Sequence, residues 1–200
     1  SDLILDLIKT FQKDYKFKKK IISEKTLLLI SYGDNLKNKN EAPLKTLKNF
    51  FDKNLKTLFE ILHVLPFYPS SSDGGFSVTD HKNVNKDLGT WHDICSLSNH
   101  ASIMADLILN HSSIKGKWFN SFIKEKEGYK NFFFTIDDNF DFSKVIRPRD
   151  HKLIQIYNYK KKNNKLWCTF SHDQIDLNFK DPLVLIEFIE IVLLLLGKGV

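Results

Sequence analysis

Cysteine, arginine and methionine are scarce in these 200 residues: two Cys, two Arg and one Met. Two cysteines far apart, Cys95 and Cys168, exclude a disulfide scaffold. No set of His and Cys has metal-ligand spacing, and no dense acidic loop is present, so no metal and no cofactor are expected. No apolar run spans a bilayer: Leu183 to Leu196 is short of the ~20 residues required and is broken by Glu187 and Glu190. The start, Ser1-Asp2-Leu3, lacks the basic region of an export signal, and with two thiols this favours the cytoplasm. Since the first residue is not Met, the chain reads as a processed product or a fragment.

What is abundant is lysine and apolar bulk. The net charge is +6, and 42% of residues are hydrophobic. A chain of this length and apolarity buries a core and is not disordered. The lysines are scattered, with small clusters at 18–20 and 160–162, which argues against a nucleic-acid face. Both arginines, Arg147 and Arg149, flank Pro148. Such a pair suits a planar guanidinium site for an oxyanion, or is a chance surface pair.

Hydrophobic spacing organises the chain. Ile4, Leu7, Ile8, Phe11 and Tyr15 predict an amphipathic helix. Continuous apolar runs at Thr26–Ile30, Ile61–Leu65 and Ser102–Leu109 predict strands buried on both faces. Leu44, Leu47, Phe51, Leu55 and Leu58 predict a helix between the first two strands. Thr90 and Asp93 form a capping-box pattern opening another at Trp91. This alternation implies a parallel sheet covered by helices. About seventy residues, His111 to Lys180, then intervene, with a basic loop at Lys160–Lys165. The next helix begins at Asp181-Pro182 and ends at Gly197, and only its Glu187/Glu190 stripe is expected to face water. The expected organisation is an N-terminal helical segment (1–24), strands one to three with two helices (25–111), an insertion (112–180), and a third helix leading into a fourth strand (181–200).

Loops at the C-terminal ends of such strands form ligand sites. Asp106 falls within the third predicted strand, where alternation puts it on a face with Ile108 and Asn110, and His111 closes the strand. That is a polar cluster at a barrel mouth, or an Asp held by backbone amides. Asp73-Gly74-Gly75-Phe76 suits a carbohydrate, with a carboxylate for hydroxyls and a flat ring, or is simply a turn. His63 reads as a satisfied core residue, and His151 and His172 as loop residues.

Asp106-Leu107-Ile108-Leu109-Asn110-His111 resembles the first signature of the alpha-amylase superfamily (glycoside hydrolase family 13). Leu65–Pro69, Ser72–Phe76, Asp80-His81, Leu88–Trp91, Arg147–Arg149, Trp167–Phe170 and Gln174–Asn178 are similar, in order and spacing, to sucrose phosphorylases and their relatives. The run Thr169–Asn178 looks closer to the glucosylglycerate and sucrose 6'-phosphate phosphorylase branches, and Ile146 stands where sucrose-specific members usually carry tyrosine.

The resemblance implies an α/β fold, a partial (β/α)8 TIM barrel with a small domain B inserted after strand three. It implies retaining phosphorolysis of an alpha-glucoside to a glucose 1-phosphate, with the alpha-glucoside and inorganic phosphate as partners and no nucleic acid or membrane. By resemblance, Asp73, Phe76 and His111 would hold the glucosyl unit. Phe170 and Gln174 would form the cleft wall, and Arg149 would reach the acceptor site. Asp106 and Asn110 would be supporting residues, Asp106 pairing with a strand-four arginine. The nucleophile and acid/base would lie beyond Val200, leaving this chain inactive alone. A glucosidase or transglucosidase of the same superfamily, or a non-enzymatic protein that kept the fold, are the alternatives.

Overall fold

A computed structural model describes residues 2–15, 22–146, 150–159 and 162–200. The chain divides into two compact units, one of Ser1–Pro69, His81–Leu107 and Ile186–Val200, the other of Ser70–Asp80 and Ile108–Leu185.

The first unit is built on three parallel strands, β1 (Leu28–Ser31), β2 (Ile61–Val64) and β3 (Ser102–Ala105), in that spatial order. The helices are α1 (Asp2–Asp14), α2 (Pro43–Asn54) and α3 (Trp91–Ser98), and α5 (Pro182–Gly197) belongs here from Ile186. Strand–helix–strand order is what the three apolar runs predict, since parallel neighbours need a crossover between them. In α3 the Asp93 carboxylate accepts the Thr90 N–H at 2.8 Å, so the predicted capping box is formed. Helix α2 stops at Asn54 and does not reach Leu58, which lies in the following turn.

The two faces of the sheet differ. Leu29, Leu62 and Ile103 share one row of the ladder, and Leu62 and Ile103 are buried. Helix α3 packs on α2 and on β3; Leu44, Leu47 and Phe51 are buried on α2, and Ile94 and Leu97 on α3. Ile30, His63 and Met104 share the alternate row, and there Ile30 is 57% and Met104 40% exposed. The expectation of strands buried on both faces therefore holds in full for one face only; on the second, Ile30 and Met104 stay exposed while His63 is covered in part by Asp106. On α5, Glu187 and Glu190 both pair with Lys82 Nζ, at 2.8 and 2.6 Å, and the Glu190 side chain remains 40% exposed. Exposure is not confined to that stripe, because Leu183 and Leu185 are exposed too.

The third strand is shorter than its apolar run. β2 ends because Pro66 has no N–H to continue the ladder, and β3, paired to it, ends at Ala105 opposite Val64. Asp106 thus stands just past the strand, and His111 does not close it. His111 opens a new strand, β4 (His111–Ser113), in the second unit.

In that unit β4 pairs antiparallel with β8 (Gln174–Asp176). A second sheet, in the order β5-β7-β6, comprises β5 (Thr135–Ile136), β6 (Ile154–Tyr159) and β7 (Lys162–Trp167). Lys162–Lys165, expected in a basic loop, lie on β7, and Lys160 and Lys161 fall outside the described residues. Helix α4 (Lys117–Ile123) contributes Phe119 and Phe122, each packed edge-on to Phe133 at 5.6 and 5.3 Å between centroids. These three rings pack into the core of the unit beside Phe132, Leu166 and Ile175.

Among the described residues, no helix is long and apolar enough to cross a membrane, and no group of three His, Cys, Asp or Glu could hold a metal ion. Cys95 and Cys168 are both thiols.

Candidate functional site

The β4–β8 ribbon places chemistry on one face. His111 is opposite Asp176 and Ser113 opposite Gln174, and side chains two apart share a face. His111, Ser113, Gln174 and Asp176 therefore stand together, and all are buried. The turn from Ser72 to Phe76 reaches this face. Gln174 Nε2 donates to Asp73 Oδ2 at 2.8 Å, and His111 Nε2 lies 3.1 Å from the Phe76 carbonyl oxygen. A carbonyl only accepts, so Nε2 carries the proton. The Phe170 ring packs on the His111 ring at 4.9 Å between centroids.

The turn is backbone-specific. Asp73, Gly74 and Gly75 have φ of 58°, 58° and 104°, a run of left-handed residues. Glycine takes this conformation freely. For Asp73 it costs conformational energy, which the surrounding contacts must offset. The bend presents Asp73 as an exposed carboxylate beside buried polar groups.

Asp176 anchors the ribbon. Its Oδ1 accepts the Thr169 N–H at 2.8 Å, and its Oδ2 accepts the Thr169 hydroxyl at 2.6 Å and Asn110 Nδ2 at 3.1 Å. Burial pushes the Asp176 carboxyl above its ordinary value, against these donors and His111. Burial also pushes the His111 imidazole down, against the Phe76 carbonyl and the carboxylates of Asp176, Asp73 and Asp173. The other ring nitrogen, Nδ1, lies 3.1 Å from Asn110 Oδ1, so both nitrogens of this buried ring face acceptor oxygens.

Of the residues expected to form a site, Asp73, Phe76, Asn110, His111, Phe170 and Gln174 are brought together in the second unit. Asp106 belongs to the first unit, where its Oδ2 accepts His63 Nε2 at 2.9 Å and its carbonyl accepts the Tyr68 hydroxyl at 3.1 Å. His63 is therefore half of a polar pair at the strand ends, on the row with Ile30 and Met104. Arg149 lies outside the described residues. The sequence reading missed Asp173, Thr169 and Asp176. Thr169 lies within Trp167–Phe170, Asp176 within Gln174–Asn178, and Asp173 within the run Thr169–Asn178, so membership of the motifs was the available signal.

An α/β chain with three parallel strands and a polar ribbon of this kind defines a class, and the family model described as "Alpha amylase, catalytic domain" matches residues 53–200: the chain belongs to the alpha-amylase family. Its fold is that of the alpha-amylase TIM-barrel proteins. It is 44% identical over 177 residues to the glucosylglycerate phosphorylase of Allomeiothermus silvanus, covering 88% of this chain and 32% of that one. It is 38% identical over 183 residues to the glucosylglycerate phosphorylase of Escherichia coli, covering 91% and 33%. The crystal structure of sucrose 6F-phosphate phosphorylase from Thermoanaerobacter thermosaccharolyticum is similar with a TM-score of 0.81 at 28% identity, over 90% of this chain and 39% of that one. The chain spans about a third of the length of the curated relatives it matches.

Proposed function

We propose that this chain carries the glucosyl-holding part of a retaining alpha-glucoside phosphorylase, acting on a glucosylglycerate-type substrate and inorganic phosphate. Strands β1–β3 are the first barrel strands in this reading, and residues 112–180 are domain B. The observation that carries it is the Gln174–Asp73 hydrogen bond beside the buried His111 ring. Three segments distant in sequence supply an acceptor, an amide and an imidazole to one ribbon face. Asp73 would accept sugar hydroxyls, Phe76 and Phe170 would pack on apolar ring faces, and Gln174 would hold the Asp73 carboxylate in register. Asp106 would support the strand ends through His63. Arg149 would bind the incoming phosphate, a role that suits a forked guanidinium.

The reaction proposed is double displacement. A carboxylate attacks the anomeric carbon and the glycosidic C–O bond breaks. A carboxylic acid gives its proton to the leaving oxygen. A phosphate oxygen then attacks the same carbon, displaces the carboxylate and yields alpha-glucose 1-phosphate. The nucleophile and acid/base are assigned to residues outside this chain. Its own site carboxylates are committed to binding and packing: Asp73 to Gln174, Asp106 to His63, Asp176 to Thr169 and Asn110. The 200-residue chain alone is therefore expected to be inactive.

The test is phosphate-dependent release of glucose 1-phosphate from glucosylglycerate, sucrose and sucrose 6'-phosphate by the complete gene product. Release from glucosylglycerate, requiring phosphate, is expected. Glucose formation at the same rate without phosphate would contradict phosphorolysis.

A further inference from the structure

The turn that carries Asp73 and the strand that carries Gln174 meet at a buried carboxylate. Asp173 is 5% exposed. Its donors among the described residues are serine hydroxyls. Ser71, Ser72 at 2.7 Å and Ser77 at 2.9 Å donate to Oδ2, and Ser113 donates to Oδ1 at 3.0 Å. Three hydroxyls crowd Oδ2 and one meets Oδ1; each has a single proton, and Ser77 also lies 3.0 Å from the Asp173 carbonyl oxygen and Ser71 2.7 Å from the Ser113 hydroxyl, so the serines form one shared network around the carboxylate. Burial opposes the charge, but the four hydroxyls together hold the carboxyl below its ordinary value.

The serines come from both sides of the bend and from β4. Ser71 and Ser72 precede Asp73, Ser77 follows Phe76, and Ser113 lies opposite Gln174. The Ser71 N–H also donates to the Ser77 carbonyl at 2.9 Å, closing the loop on itself. Asp73 sits between these anchors with φ at 58°, a conformation that persists only where the surroundings over-determine it.

We propose that Asp173 is a positioning residue: through the four serines it locks the 71–77 turn, so that the Asp73 carboxylate meets Gln174 and is held toward the sugar. This rests on the glucosyl-binding reading above. Asp173 acts through Asp73, so its effect on substrate depends on Asp73 being present.

A double-mutant cycle in the complete protein tests it, with Asp173→Asn, Asp73→Asn and both together, measuring kcat and KM for glucosylglycerate phosphorolysis. Asp173→Asn alone is expected to lose about tenfold or more in kcat/KM. In the Asp73→Asn background it should lose less than about twofold. Additive losses would overturn the proposal, because a general stability defect is indifferent to Asp73. Amide hydrogen exchange in the same proteins separates the turn from the sugar. Faster exchange at 71–77 with β1–β3 unchanged is expected for Asp173→Asn, and unchanged exchange at 71–77 overturns the proposal whatever the kinetics. A parent that turns over no glucoside overturns the functional reading and the proposal with it. Should Asp173→Asn fail to fold, Ser72→Ala removes one exposed donor and must give the same two changes at smaller size, or the proposal falls.

Discussion

Gln174 Nε2 lies 2.8 Å from Asp73 Oδ2, joining residues 101 positions apart in the chain. Gln174 is buried while Asp73 is exposed, so the bond fixes an accessible carboxylate from below. That is the arrangement a hydroxyl-rich ligand needs, since a fixed acceptor loses little entropy on binding.

Gln174→Leu keeps the bulk and removes the donor. A hydrogen bond to a charged group contributes about 1.5–3 kcal/mol. The KM for glucosylglycerate in the complete protein should rise about tenfold or more, and kcat should change less. Steady-state kinetics measure both.

His111 gives a pH signature. Its folded-state pKa is lowered, first by burial. Above the ordinary value of 6.5 both folded and unfolded rings are neutral, and His111 has no effect on stability. As pH falls through 6.5 the unfolded ring takes up a proton that the folded ring refuses, and stability is lost until the pH reaches the lowered folded value. Ring titration by two-dimensional NMR should find the His111 midpoint below 6.5. His111→Gln should flatten the pH dependence of denaturant midpoints just below 6.5.

Gly89→Ala should destabilise the first unit. Gly89 has φ of +150°, and a Cβ there would lie 2.7 Å from Asp93 Oδ2, the atom that caps α3. A residue forced into this region costs about 1–3 kcal/mol. The urea midpoint should fall accordingly, with loss of the Thr90–Asp93 cap.

Much of the first unit was legible because its signals are local. The apolar runs around Leu28, Ile61 and Ser102, and the Thr90–Asp93 spacing, each report on a few neighbouring residues. The end of β3 was not legible, because it is set by Pro66 acting through β2, and apolarity continues through Leu107, Ile108 and Leu109. The pairing of Glu187 and Glu190 with Lys82 was hidden for a similar reason: periodicity shows a polar stripe, never the cation that will pair with it. In the second unit the motif residues Asp73, His111 and Gln174 were found by resemblance. Asp173 was not, since hydroxyls at 71, 72, 77 and 113 have no periodicity and read as turn residues.

The most direct measurement is a crystal structure of the complete protein with glucosylglycerate bound. The account predicts glucosyl hydroxyls within hydrogen-bonding distance of the Asp73 carboxylate and the His111 ring, with Gln174 still on Asp73. A glucosyl unit seated away from Asp73 and His111 would contradict it.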